Sequence, residues 1–156
     1  VGGDSCVVIL GDNIIADDLS GVVDDFLDSG GCHIFTKEVD DPERFGVLEY
    51  EPGDDHYEGG VVSPTVNTTI KDIIEKPLHP PSNDAVIGLY MYDNTVFDKI
   101  KALSPSERGE LEVTDLNRSY LQDDALHAHK VHGTWIDCGT FDSLARATQK
   151  FYEDGL

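Results

Sequence analysis

The order strand, helix, strand at the beginning of the chain constrains the fold more than any other feature. Residues 6–10, CVVIL, are β-branched and apolar and read as a strand buried on both faces. After an Asp-rich turn, DDLSGVVDDFLDSGG sets Leu19, Val22, Val23, Phe26 and Leu27 at helical spacing, with acids at its start and Gly30-Gly31 at its end. CHIFTKEV then reads as a second strand. A strand–helix–strand run with a connection of this length is a βαβ unit, so a parallel sheet is expected.

The remaining signals fit the same body. VLEY, TIKDIIE and AVIGLYMY read as strands, and the first two are separated by EPGDDHYEGGVVSPTVN, a polar stretch with Gly and Pro that reads as a loop or hairpin insertion. NTVFDKIKAL and VTDLNRSYLQDD are helical by periodicity, with Thr114 or Asp115 as the cap of the second. ALHAHKVHG and TWIDCG are strand-like, and FDSLARATQKFYEDG is an amphipathic closing helix. There is no repeat and no linker, so residues 1–156 are expected to form a single α/β domain.

Charge and cysteine content exclude several function classes. With 31 acidic against 11 basic residues and a net charge of -20, the chain lacks the clustered Lys and Arg that a phosphate backbone requires, so no nucleic-acid partner is expected. The acids are dispersed rather than gathered in a tail, the pattern of a surface kept solvated at high ionic strength; salt adaptation is the expectation. Cys6, Cys32 and Cys138 are odd in number and widely spaced, which fits packed residues better than a disulfide framework or a zinc site. No apolar run is long enough to span a membrane and no secretory signal opens the sequence, so a cytoplasmic protein without a membrane partner is expected. Asn67 opens an N-T-T sequon that carries little weight without such a signal.

Two strands end in an aspartate. In VVILGDNII, Asp12 follows Gly11 and precedes Asn13, whose amide can donate to a ligand; in TWIDCGT, Asp137 precedes Gly139 and Thr140. Open α/β sheets bind ligands beyond the carboxyl ends of their strands, and magnesium takes one or two carboxylates plus substrate phosphates. Two separate helix caps account for the same residues. IIEKP ends a strand in Glu75 and Lys76, one able to accept sugar hydroxyls and the other to neutralise a phosphate, unless they are an ordinary surface pair. RFGV and AVIGLY each put a glycine where backbone can lie against a flat ligand or simply turn or pack. The six histidines form no convincing site, although His127 and His129 share one strand face.

Taken in order, LGDNI, DPERFGVLEY, IIEKP, SNDAVIGLYMYDNTVFD, SERGELEVTDLNRSYL and WIDCGTFDSLARATQ closely resemble the glucose-1-phosphate thymidylyltransferases, a family of sugar-phosphate nucleotidyltransferases, across residues 6–151. The resemblance implies a Rossmann-like mixed, mostly parallel sheet flanked by helices. It implies Mg²⁺ held by Asp12 and Asp137, with glucose 1-phosphate and a nucleoside triphosphate, dTTP in the first place, as substrates. Phe45, which stands where a tyrosine is usual, would line the sugar-phosphate pocket with Asn13, Gly46, Glu75, Ile87 and Gly88. Lys76 and Arg108 would face the phosphate and Trp135 would pack near the sugar. A homo-oligomer is also implied.

One departure lies upstream of the first strand. Such enzymes carry a Gly-rich loop with an arginine and a later lysine that hold base and triphosphate, and residues 1–5 have no counterpart. The expectation is an N-terminally truncated chain that keeps the sugar-phosphate half, is inactive alone, and exposes a sheet edge. A uridylyltransferase, and a non-catalytic sugar-phosphate-binding or assembly module, are the alternatives.

Overall fold

A computed structural model of the chain describes residues 3–52, 69–106 and 109–154. The polar stretch after Pro52, its sequon at Asn67, and Arg108 lie outside the described residues. The element order is β1 (Cys6–Ile9), β2 (Asn13–Ala16), α1 (Ser20–Ser29), β3 (Cys32–Glu38), a 3₁₀ turn at Pro42–Arg44, β4 (Gly46–Tyr50), β5 (Ile70–Glu75), β6 (Asp84–Tyr92), α2 (Val96–Ala102), α3 (Val113–Leu121), β7 (Leu126–Lys130), β8 (Thr134–Asp137) and α4 (Phe141–Asp154).

The main sheet runs β5-β4-β6-β3-β7, and β6 is its backbone. One edge of β6 is paired along its length with β3, from Cys32↔Tyr92 to Glu38↔Asp84. The other edge is shared end to end: β4 pairs at Gly46↔Val86 and Val47↔Ala85, while β1 pairs from Ile9↔Leu89 to Cys6↔Tyr92. Strands β2 and β8 form a separate antiparallel arm.

The α/β class and the mixed sheet with flanking helices agree with the sequence reading. The share of parallel pairing is smaller than expected. Strands β1 and β3 do run in the same direction, but each is antiparallel to β6, which lies between them; β3–β7 is the one parallel pair among the described strands. The βαβ crossover is therefore present but skips one strand position.

The period-two alternation of β6 divides the core. Val86, Tyr90 and Tyr92 pack with Ile34, Leu48 and Ile73 beneath Val96 of α2 and Leu116 and Tyr120 of α3. Ile87, Leu89 and Met91 face the other way, with Phe35, Val131 and Phe26 of α1. Helices thus cover both faces.

Three local expectations change. CVVIL is not buried: Val7 and Ile9 are 61% and 58% exposed, because β1 pairs only with β6, and of its residues Cys6 alone is packed against the core. Helix α1 has no acid in its first turn; Asp18, two residues ahead of Ser20, accepts the Ser20 N–H at 3.0 Å instead. Neither Thr114 nor Asp115 caps α3, whose N-cap is Glu112 without a side-chain cap bond. All three cysteines are free, and burial pushes the Cys32 thiol well up. No helix among the described residues is long and apolar enough to cross a membrane.

Candidate active site

The two strand-end aspartates meet. Leaving β1, the Leu10 N–H donates to Gly88 O at 2.8 Å, and the chain turns so that the Asn13 N–H reaches Leu10 O at 3.0 Å. The arm then sets Asn13 opposite Asp137, and the Cys138 N–H donates to Asp12 O at 2.6 Å. Both carboxylates crowd Gly139: a Cβ there would stand 3.0 Å from Asp137 Oδ1 and 3.2 Å from Asp12 Oδ2. Gly139 keeps that space open, and its N–H donates to Asp137 Oδ1 at 2.9 Å. Neither aspartate is the helix cap of the alternative reading: α1 begins eight residues past Asp12, and Asp137 is tied into the arm.

Asn13 is the hub of the arm. Its Nδ2 donates to Asp12 Oδ1 at 2.9 Å, while Oδ1 accepts the Trp135 indole N–H at 2.7 Å and the Gly88 N–H at 3.1 Å. That last bond uses the gap on β6 between the ends of β1 and β4. Glycine leaves room for this bond, since a Cβ on Gly88 would lie 2.7 Å from Asn13 Nδ2 and 2.8 Å from Leu10 Cδ1 and one of those side chains would have to shift. The Ile87 side chain is buried in the α1-side core, so only its backbone is turned to this gap.

Across the gap, β4 begins where β5 ends, with Gly46 opposite Glu75. Lys76, the next residue, has φ 44, left-handed backbone that is costly for a side-chain-bearing residue and collects at functional sites. The twist sends Lys76 to the same side as Glu75, its Nζ 3.6 Å from Glu75 Oε1, and the Lys76 N–H is held by Phe45 O at 2.9 Å. Phe45 meets Trp135 edge to face, ring centroids 5.6 Å apart, and so joins the β4–β5 pair to the arm. Among the predicted site residues, only Arg108, outside the described residues, is not placed in this constellation.

Two members were not foreseen. Thr114, read as a cap, donates its hydroxyl to Glu75 Oε2 at 2.5 Å and fixes that carboxylate. Arg44 donates to Asp41 at 2.7 Å and to Asp137 Oδ2 at 3.1 Å, with its guanidinium 5.2 Å over the Phe45 ring. The hydrogen bond to Asp41, with the nearby carboxylates, holds its pKa above the usual range. The sequence carried a signal for Arg44, a lone cation directly before Phe45-Gly46, whereas nothing marked Thr114 as a partner of Glu75.

The donor set suits a hard divalent cation. Asp12 and Asp137 supply two carboxylates and no sulfur, and the described residues contain no group of three or more His, Cys, Asp or Glu able to enclose a metal. Two carboxylates make no protein cage, so a divalent cation held there would draw the rest of its shell from other oxygens.

The chain is similar to known proteins along most of its length. A family model described as nucleotidyl transferase matches residues 1–154. The low-salt glycan biosynthesis nucleotidyltransferase Agl11 of Haloferax volcanii is 40% identical over 99% of this chain and 40% of its own length. A glucose-1-phosphate thymidylyltransferase of Xanthomonas campestris pv. campestris is 42% identical over 94% of this chain and 46% of its own. Among solved structures, a Bacillus anthracis protein assigned as a glucose-1-phosphate thymidylyltransferase, in complex with a sucrose, superposes with a TM-score of 0.79 at 44% identity, covering 96% of this chain and 55% of that one. A UDP-glucose pyrophosphorylase complexed with UDP-glucose gives a TM-score of 0.78 at 26% identity, covering 99% and 58%. The chain thus spans about half the length of the relatives it matches. With its strand-end aspartates, its Glu-Lys strand terminus and its glycine gap in one constellation, the chain belongs to the nucleotidyl transferase family.

Proposed function

We propose that this chain is the sugar-phosphate and metal half of a nucleotidyltransferase that joins glucose 1-phosphate to the nucleotidyl group of dTTP, giving dTDP-glucose and pyrophosphate. The observation that carries the reading is the convergence of Asp12 and Asp137 beside Phe45, Gly46, Glu75, Lys76, Gly88 and Trp135. Similarity to thymidylyltransferases over nearly the whole chain supports the choice of sugar and base.

The chemistry asks the protein to bring two anions together in line. A phosphate oxygen of the sugar phosphate attacks the α-phosphorus of the triphosphate, and pyrophosphate leaves with the electrons of the broken P–O bond. Asp12 and Asp137 would hold Mg²⁺, which supplies charge neutralisation at the reacting phosphates. Lys76 faces the sugar phosphate and offsets its charge, Glu75 accepts sugar hydroxyls in the orientation Thr114 imposes, and the Phe45–Trp135 pair covers an apolar face of the ring. No covalent intermediate with the protein is required. Arg108 is assigned to the phosphate by resemblance alone. A cytoplasmic, salt-adapted homo-oligomer completes the proposal.

The test is pyrophosphate release by the full-length protein containing this chain, given glucose 1-phosphate, Mg²⁺ and either dTTP or UTP. Turnover with dTTP and its loss by about a hundredfold or more in Asp12→Asn are expected; normal turnover of that variant at limiting magnesium overturns the metal assignment. The second reading, uridylyl transfer, is favoured by the likeness to UDP-glucose pyrophosphorylase and wins if UTP is the better substrate.

A further inference from the structure

The arm that carries both aspartates is anchored at its far end, where residues 131–133 turn from β7 into β8. Three consecutive carbonyls of this turn converge on one ammonium: Lys37 Nζ donates to Val131 O at 3.0 Å, His132 O at 3.3 Å and Gly133 O at 2.8 Å. Two of its N–H groups converge on one carboxylate: those of His132 and Gly133 donate to Asp17 Oδ2 at 2.8 and 2.9 Å. These bonds hold the Asp17 pKa below the usual carboxylate range, the bond from Gly133 first. The turn also presses on β2, since a Cβ on Gly133 would run into the Ala16 carbonyl.

Lys37 projects from β3 and Asp17 directly follows β2, so two opposite charges from two elements grip one turn from its two polar sides. Charge-assisted bonds to backbone are among the stronger ones, and five on three residues leave the turn little freedom. What the turn feeds is β8, with Trp135 two residues and Asp137 four residues past Gly133. Strand β2, whose end Asp17 marks, leads back to Asn13 and Asp12.

We propose that Lys37 and Asp17 are positioning residues for the nucleotidyl-transfer site: by clasping the β7–β8 turn they fix the register of the arm, and with it the approach of Asp137 to Asp12 and of Trp135 to Asn13. Neither touches the site itself. The inference rests on the proposed metal role of the two aspartates, and its test separates the two.

The chain's only tryptophan, Trp135, reports on the arm directly. The variants are Lys37→Met and Asp17→Ala, with Lys37→Arg and Asp17→Asn as conservative partners. Lys130→Met serves as control; Lys130, opposite Thr36 in the β3–β7 register and directly before the turn, pairs with Glu38 and Asp84 rather than with the turn. Acrylamide quenching of Trp135 and Mn²⁺ affinity by electron paramagnetic resonance are read alongside far-ultraviolet circular dichroism. Expected for Lys37→Met and Asp17→Ala are faster quenching and Mn²⁺ affinity weakened about tenfold, the effect of removing groups that orient metal ligands, with secondary structure kept. The conservative partners should recover part of both, and Lys130→Met should move neither. Should Lys37→Met lose its fold, the exposed Asp17 carries the test. Quenching and Mn²⁺ affinity as in the parent for both Asp17→Ala and a folded Lys37 variant overturn the clasp. If the parent chain binds no Mn²⁺ even with pyrophosphate present to supply phosphate oxygens, the metal reading fails, and quenching alone decides the clasp.

Discussion

His33 gives the most quantitative prediction. It is 1% exposed, on β3, and both its ring nitrogens are engaged. Nε2 lies 3.0 Å from Ser29 Oγ, whose proton is committed to Asp25 O at 2.7 Å, so Nε2 must be the donor. Nδ1 of the neutral ring is then an acceptor, and it receives its bond from His129 Nε2 at 2.9 Å. A proton added at Nδ1 would set two donors against each other and place charge among His129, 4.9 Å away, His127, 4.5 Å away, and the edge of Phe26. The hydrogen bond to the Gly30 carbonyl and then the charge of Asp25 on α1 act in the opposite direction. Burial first, then the two neighbouring histidines, lower the His33 pKa to about 4 from 6.5. The folded value lies below the unfolded one, so the unfolded chain takes up the proton first. Stability is full above about pH 6.5 and declines as pH falls towards 4. Linkage at ~1.36 kcal/mol per pH unit gives a loss of roughly 2 kcal/mol by about pH 5 and ~3 kcal/mol at most. Urea denaturation at fixed salt, at a series of pH values, should show this slope in the parent chain and a much flatter one in His33→Gln. Comparing the two removes the common contribution of the carboxylates. Equal slopes would refute the argument.

Other expectations are more local. Gly88→Ala should destabilise by ~1–3 kcal/mol, because the new methyl displaces the Asn13 amide or the Leu10 side chain; an unchanged urea midpoint would contradict the close approach. Thr114→Val removes a charge-assisted bond to Glu75, and calorimetry should find glucose 1-phosphate bound about tenfold more weakly by a still-folded chain. A net charge of -20 predicts a melting temperature that climbs between about 0.1 M and about 2 M KCl as repulsion is screened; a flat profile argues against salt adaptation.

What could be read in the sequence followed from local chemistry. A strand that stops in Gly-Asp-Asn, another that stops in Asp-Cys-Gly, and a Glu-Lys pair before proline are each complete within a few residues, and the structure brings all three to one place. Burial and pairing were less accessible because they depend on distant segments. CVVIL has the composition of a central strand, yet its exposure is decided by where β6, some eighty residues later, offers an edge. The same strand separates β1 from β3 and turns an expected parallel neighbour into a parallel second neighbour. Thr114 was misread for a related reason: a hydroxyl at the start of a helix looks like a cap until a carboxylate from another strand claims it. The histidines were dismissed as a site, and seeing that His127 and His129 come against the buried His33 required knowing that β3 and β7 pair in parallel.

The shared edge of β6 has a consequence for how such a site can change. Strand β1, which leads to Asp12, is registered at Leu89, and β4, which starts beside Phe45, at Val86; Ile87 and Gly88 alone separate the two anchorages. The distance between the two halves of the site is therefore written in covalent chain as well as in the Phe45–Trp135 and Arg44–Asp137 contacts. Point substitutions can reshape either half, but a single inserted or deleted residue between Val86 and Leu89 would shift one half against the other by about 3.4 Å and turn the following side chains to the opposite face of the sheet. Substrate choice can drift on this scaffold while the length of that short span stays fixed.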